Sequence, residues 1–212
     1  MQVLSNTFVN IKSMNIPELG PLTPRRGNAL TRAIGRAMLV AYRWQVKGKM
    51  HNAPKFVMVL APHTSLWDFY TPNATMLAVG FRSSWLAAAS LTFWPLGILV
   101  RWLGGIPVHR SASHNLVSQI VKKFNDNDSL VLSLFPEGQL SKVIKWKTGF
   151  WHIAVQAGVP IQLVSLDYDR RVTEFGPVIK PSQNIEADME RIQNYYKDVQ
   201  GRNPDQFGGE YL

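Results

Sequence analysis

Residues 55–69, KFVMVLAPHTSLWDF, decide how this chain folds. Phe56 to Ala61 are six apolar residues in a row. The run is too continuous for a strand with one wet face and too short for a helix, so it reads as a strand buried on both sides, the kind found in parallel sheets. Pro62 ends the run. The stretch that follows, LWDFYTPNATMLAVG (66–80), reads as a helix with Pro72 disturbing its early part. Strand, loop and helix in this order form the repeating unit of α/β folds.

Working outward, the same alternation continues. Strands are expected at 84–90, 106–110, 129–135, 160–166 and 172–179, and helices at 93–104, 113–125, 147–157 and 184–199. The fold class is therefore α/β, a mixed and mostly parallel sheet flanked by helices. Residues 1–50 read as an irregular lead-in followed by an amphipathic helix that associates with a membrane surface, and 51–212 as one domain. The last dozen residues, rich in Gly, Asn and Asp, read as frayed.

Composition bounds the function. Of 212 residues 46% are apolar and only 17% charged, with seven Trp and ten Phe, which excludes a disordered chain. There is no cysteine, hence no disulfide, thiol nucleophile or thiolate metal site. The net charge of +9 is uneven: residues 1–125 carry 14 Lys and Arg against Glu18 and Asp68 alone, while the remainder is slightly acidic. Such a basic half faces nucleic acid or an anionic membrane surface. Its basic residues are interleaved with Leu, Met and Val and match no nucleic-acid motif, so no nucleic-acid partner is expected.

The segment ALTRAIGRAMLVAYRWQVKG (29–48) sets Arg32, Arg36 and Arg43 on one helical face and Leu30, Ile34, Ala37, Met38, Ala41 and Trp44 largely on others. A helix over 29–47 with this pattern suits a lipid headgroup layer, and equally a peripheral helix covering a core. No secretory leader is expected before it, because the first 20 residues lack a basic region followed by an apolar run. Residues 83–100 are 18 uncharged residues between Arg82 and Arg101, yet Pro95 and Gly97 interrupt them. A strand followed by a helix that dips into the interface fits them better than one span. The expected location is the cytoplasmic face of a membrane, monotopically bound.

Three loops that follow expected strands hold the chemistry. In APHTSLWDF (61–69), His63 and Asp68 can meet if the chain curls back, leaving Nδ1–H held by the carboxylate and Nε2 free as a base. The same two residues also suit a helix cap. In GGIPVHRS (104–111), two glycines allow close approach of a ligand and Arg110 precedes a helix N-terminus. In FPEGQLSK (135–142), Glu137 and Gly138 form a turn whose acid can orient a polar ligand and whose amides can hold an oxyanion. The remaining histidines have no metal-ligand spacing, and no metal is expected.

PHTSLWD, GGIPVHR and FPEG, followed by the Val159-Pro160-Ile161 strand start, resemble in order the four blocks of the glycerolphosphate acyltransferase superfamily, especially its lysophospholipid (1-acylglycerol-3-phosphate) branch. The resemblance covers about residues 55–180. It implies that His63 is the general base for the acceptor hydroxyl and that Asp68 orients it. It further implies that Arg110 and the Glu137–Gly138 turn bind the acceptor; Ser65 and Lys142 are added as substrate-binding candidates, Lys142, like Lys145 or Lys147, as a flexible cation able to replace an arginine missing from the third block. The co-substrate would be acyl-CoA or acyl-ACP, the acceptor a lysolipid, and no separate cofactor would be needed. The third block departs from the family by having Gln139-Leu140 where Thr-Arg is usual, the second by His109, and Ala87–Ala89 stand where a lysine is often found. These departures leave open an acceptor without a phosphate, or a non-catalytic lipid-binding protein at the membrane surface.

Overall fold

The structure, a computed structural model, describes residues 15–108 and 115–208. Its first half runs α1 (Ala29–Ala41), β1 (Gln45–Gly48), β2 (Lys55–Ala61), α2 (Trp67–Val79), β3 (Ser84–Ala88), α3 (Leu96–Trp102) and β4 (Gly105–Val108). The second runs α4 (Leu116–Asp126), β5 (Leu130–Leu134), α5 (Gly149–Ala157), β6 (Ile161–Asp167), β7 (Val172–Ile179) and α6 (Ile185–Tyr196). The described strands form a seven-stranded sheet ordered β1-β7-β6-β2-β5-β3-β4. Its pairs are parallel except β6 with β7.

β2 lies at the centre of this sheet, as its unbroken apolar run requires. Phe56, Met58 and Leu60 enter the core under α1 and α2, with Leu39, Ala74 and Met76. Val57, Val59 and Ala61 enter the opposite core, with Ile120, Phe124, Phe150 and Ile192 from α4, α5 and α6. Both faces are dry, so truncating a side chain such as Phe56 to alanine costs about 3–5 kcal/mol.

The N-terminal helix is shorter than expected. Asn28 and Thr31 close a reciprocal capping box at its start, and the helix ends at Ala41 rather than continuing to 47. Arg43 takes a positive φ of 52°, the chain turns, and residues 45–48 become the edge strand β1, paired in parallel with β7. Tertiary contacts override the local helical pattern here: Val46 is buried and the Trp44 indole donates to Thr173 Oγ1 at 2.8 Å. Residues 45–48 are thus part of the same sheet as the rest. Gly35 lets α1 lie directly on α2, since a Cβ there would come 2.3 Å from the Ala78 nitrogen.

Ser84–Ala88 is a strand, Ala89–Leu91 a turn of 3-10 helix and Leu96–Trp102 a short helix, so the uncharged 83–100 stretch is divided as its Pro and Gly predict. Among the described residues no helix is long and apolar enough to cross a membrane. Helix α2 survives Pro72, with the Asn73 amide donating to the Phe69 carbonyl, and ends on Gly80 in the left-handed region. The tail is not frayed through residue 208. Asn203 bonds both the Thr64 carbonyl and the Thr64 hydroxyl, and the Trp146 indole donates to the Gly208 carbonyl. Buried partners contributed by distant loops hold a segment whose composition alone suggests disorder.

Candidate active site

β5, β2 and β6 are adjacent and parallel, so the loops after them emerge on one edge of the sheet, where α/β folds place their ligands. The loop after β2 carries His63 and Ser65 and leads to Asp68 in the first turn of α2. The loop after β5 carries Phe135, Glu137 and Gly138, and the loop after β6 carries Tyr168.

The chain does curl back at 63–68. His63 Nδ1 lies 3.4 Å from Asp68 Oδ2, with Asp68 fully buried and the His63 side chain 20% exposed. Asp68 is anchored from three directions. Its Oδ2 accepts the Thr64 amide at 2.6 Å and the Ser65 amide at 2.8 Å, and its Oδ1 accepts the Tyr168 phenol at 2.6 Å. An acid in the first turn of α2 also favours the helix dipole. Donors of this number fix the plane of the group. His63 Nδ1 is buried and faces Oδ2 outside hydrogen-bonding geometry, a contact of the kind that tightens when substrate binds. The imidazole stacks on Phe135, centroids 4.0 Å apart and planes 14° apart, which sets the tilt of the ring.

Glu137 comes to the same place from β5. Its Oε1 accepts the His63 backbone N–H at 3.0 Å, while Oε2 is buried without a hydrogen-bond partner. Burial pushes its carboxyl up to about 7, against the hydrogen bonds from its own and the His63 backbone, and the charge of Asp68 adds to the rise. Near neutral pH this acid is therefore divided between a form that accepts and a form that also donates a hydrogen bond. Gly138 adopts a positive φ of 66°, completing the turn.

The other candidates fall out unevenly. Ser65 is half-buried, and its hydroxyl accepts the Trp67 amide at 3.3 Å, a local cap at the start of α2. Lys142 turns toward the tail, where a Cβ on Gly208 would come 2.9 Å from its Cε. Lys147 is the cation beside the Glu137–Gly138 turn: its ammonium would lie 2.8 Å from a Cβ on Gly138, and its amide donates to the Pro136 carbonyl. Arg110, like His109 and His114, lies outside the described residues. Asp167 forms a turn, accepting the backbone and guanidinium of Arg170. Sequence reasoning did not find Tyr168 or Asn203; the only local hint of the first is an aromatic residue in the turn directly after a buried strand.

A family model described as Acyltransferase matches residues 43–167, which contain His63, Asp68 and Glu137. A stretch of 98 residues, 43% of this chain, is 32% identical to the 1-acyl-sn-glycerol-3-phosphate acyltransferase of Haemophilus influenzae, and the match covers 38% of that relative's length. Among solved structures, the chain resembles the 1-acyl-sn-glycerophosphate acyltransferase of Thermotoga maritima, with a TM-score of 0.60 over 79% of this chain and 76% of that one. At 20% identity that likeness carries the fold. With the sheet, the order of its loops and the family match in agreement, the chain belongs to the Acyltransferase family.

Proposed function

We propose that this chain transfers a fatty acyl group from the thioester of an acyl carrier, CoA or acyl carrier protein, to a hydroxyl of a lysolipid of the 1-acylglycerol-3-phosphate type. The observation that carries this reading is the buried Asp68, tied by three donors and set 3.4 Å from Nδ1 of a partly exposed His63. In the proposed reaction His63 Nε2 takes the acceptor's hydroxyl proton as the oxygen attacks the thioester carbonyl carbon. The C–S bond then breaks, and the departing thiolate takes the proton from the imidazolium. Asp68 keeps the imidazole in the tautomer and orientation this requires. The route needs no cysteine, and the chain has none.

Glu137, held at His63 and near half-protonation at neutral pH, is suited to bind an acceptor hydroxyl as either donor or acceptor. Among the described residues, Lys147 beside Gly138 is placed to attract an acceptor's anionic head group to the turn. The name of the Haemophilus relative favours a phosphate acceptor. Gln139 and Leu140 favour the second reading, an acceptor with another head group, because they leave the turn without an arginine.

We infer a membrane location from a separate feature, the exposed apolar side chains of α3 and its neighbours. Phe93, Trp94, Ile98, Leu99 and Trp102 are all about half exposed or more, with Trp94 at 81%. Residues 69–125 contain no Asp or Glu, so every formal side-chain charge in the stretch of sequence that includes α3 is positive. Exposed aromatics and aliphatics framed only by cations suit an anionic lipid surface. On α1, Leu30 and Ile34 are exposed beside Arg32, and Arg26 stacks on Trp102 at 4.5 Å, joining the approach to α1 to the end of α3.

The deciding experiment supplies acyl-CoA or acyl-ACP and a panel of lysolipids in anionic vesicles to the wild type and to His63→Ala. Transfer that falls about a thousandfold in the variant supports the reading. Equal, measurable transfer in both would remove His63 as the base, whereas transfer absent from the wild type with every acceptor while vesicles are still bound would leave a non-catalytic lipid-surface protein in its place.

A further inference from the structure

We propose that Tyr168 is a positioning residue for the reaction, holding Asp68 in register with His63 through its phenol. The inference rests on the acyltransfer reading above and adds to it a residue outside the loops that carry the motif. Tyr168 follows the last residue of β6, the strand beside β2, and reaches across to Asp68 Oδ1 at 2.6 Å. Oδ2 is already occupied by the Thr64 and Ser65 amides and faces His63. The phenol is thus the one donor on the other oxygen among the described contacts of Asp68, and it prevents the carboxylate from rotating about its Cβ–Cγ bond.

Tyr168 is itself secured. Its amide donates to the Gln200 carbonyl at 2.9 Å, and its ring packs edge-on against Trp44, 4.8 Å between centroids. Burial, the charge of Asp68 and the hydrogen bond to it all push the phenol's proton loss far upward, so it stays a donor throughout the working pH range. The tail that anchors Tyr168 through Gln200 also grips Thr64 through Asn203, so one strap holds both the phenol and the amide that meet on Asp68. A phenylalanine would fill the same space and lack only the hydroxyl, which meets Asp68 and Thr71.

The test compares Tyr168→Phe with the wild type in acyl transfer to lysolipids in vesicles and in hydrogen exchange of the Thr64 and Ser65 amides. The expected result is a kcat reduced about tenfold to a hundredfold, as for loss of a hydrogen bond to a charged group. The acceptor KM stays within about twofold, the melting temperature is retained, and exchange of both amides is faster. A kcat within twofold of the wild type overturns the proposal, as does a loss of rate shared with KM and melting temperature. If the wild type transfers no acyl group, the acyltransfer reading fails. Amide exchange then decides the structural half alone: unchanged exchange at Thr64 and Ser65 overturns it, faster exchange at both upholds Tyr168 as the holder of Asp68.

Discussion

The 61–68 loop and the 93–102 segment treat their side chains in opposite ways. In the loop, polar groups are buried and satisfied: Asp68 has no exposure and three donors, and Thr64 is bonded by the tail. In the segment, apolar groups are turned outward, Trp94 and Phe93 most of all. The first arrangement fixes atoms in place and the second leaves area that water solvates poorly. A chain selected for stability alone would bury the second set. The contrast separates a part built for geometry from a part built for contact with something apolar, and substitutions should divide along the same line.

The largest effect should fall on the loop. Asp68→Asn keeps the size but replaces an acceptor with a donor facing two amides, and acyl transfer should drop by about a thousandfold or more. Measured kcat within tenfold of the wild type would break the contrast at its stronger end. Next comes Glu137, whose effect is read in stability. A carboxyl held at about 7 in the fold and near 4.5 in the free chain binds its proton more tightly when folded. The fold is therefore favoured most at low pH, and about 3 kcal/mol is lost as pH rises from 4.5 to 7, with no further change above. Denaturant unfolding of Glu137→Gln should lack this slope, so the variant gains on the wild type across that window.

Smaller still is the effect on the outward segment. Trp94→Glu combined with Leu99→Glu should leave unfolding free energy within about 0.5 kcal/mol while weakening binding to anionic vesicles by more than about tenfold. Loss of stability instead would mean these side chains are structural. The smallest effect is expected from Arg32→Glu on α1. Sedimentation with anionic vesicles should fall about fivefold at low salt and the difference should shrink as salt is raised. Unchanged binding would assign the surface contact to α3 alone.

Much of the fold was legible because local pattern and tertiary role agree. β2 at 55–61 and β7 at 172–179 match their expected bounds, and the long apolar run of β2 could be satisfied only in the middle of a sheet. β1 was not legible. Gln45–Gly48 buries only Val46, and nothing near it in sequence announces the partner at Val172. His63, Asp68 and Glu137 stand out since they directly follow buried strands. Tyr168 does not, because its role depends on a hydrogen bond to a residue 100 positions away. Lys147 rather than Lys142 beside the turn depends likewise on how 142–148 folds over Gly138, which residue type cannot tell.

The strap from Gln200 to Gly208 has a consequence for the order in which the protein is made. The His63 loop leaves the ribosome early, yet Asn203, which grips Thr64, is translated 139 residues later. Until then the loop has its local bonds and lacks its distant ones, which must wait for long-range closure. A nascent chain could therefore own most of its sheet while its His–Asp pair is still unbraced. Competence would arrive only once Asn203 has been made and has closed on Thr64.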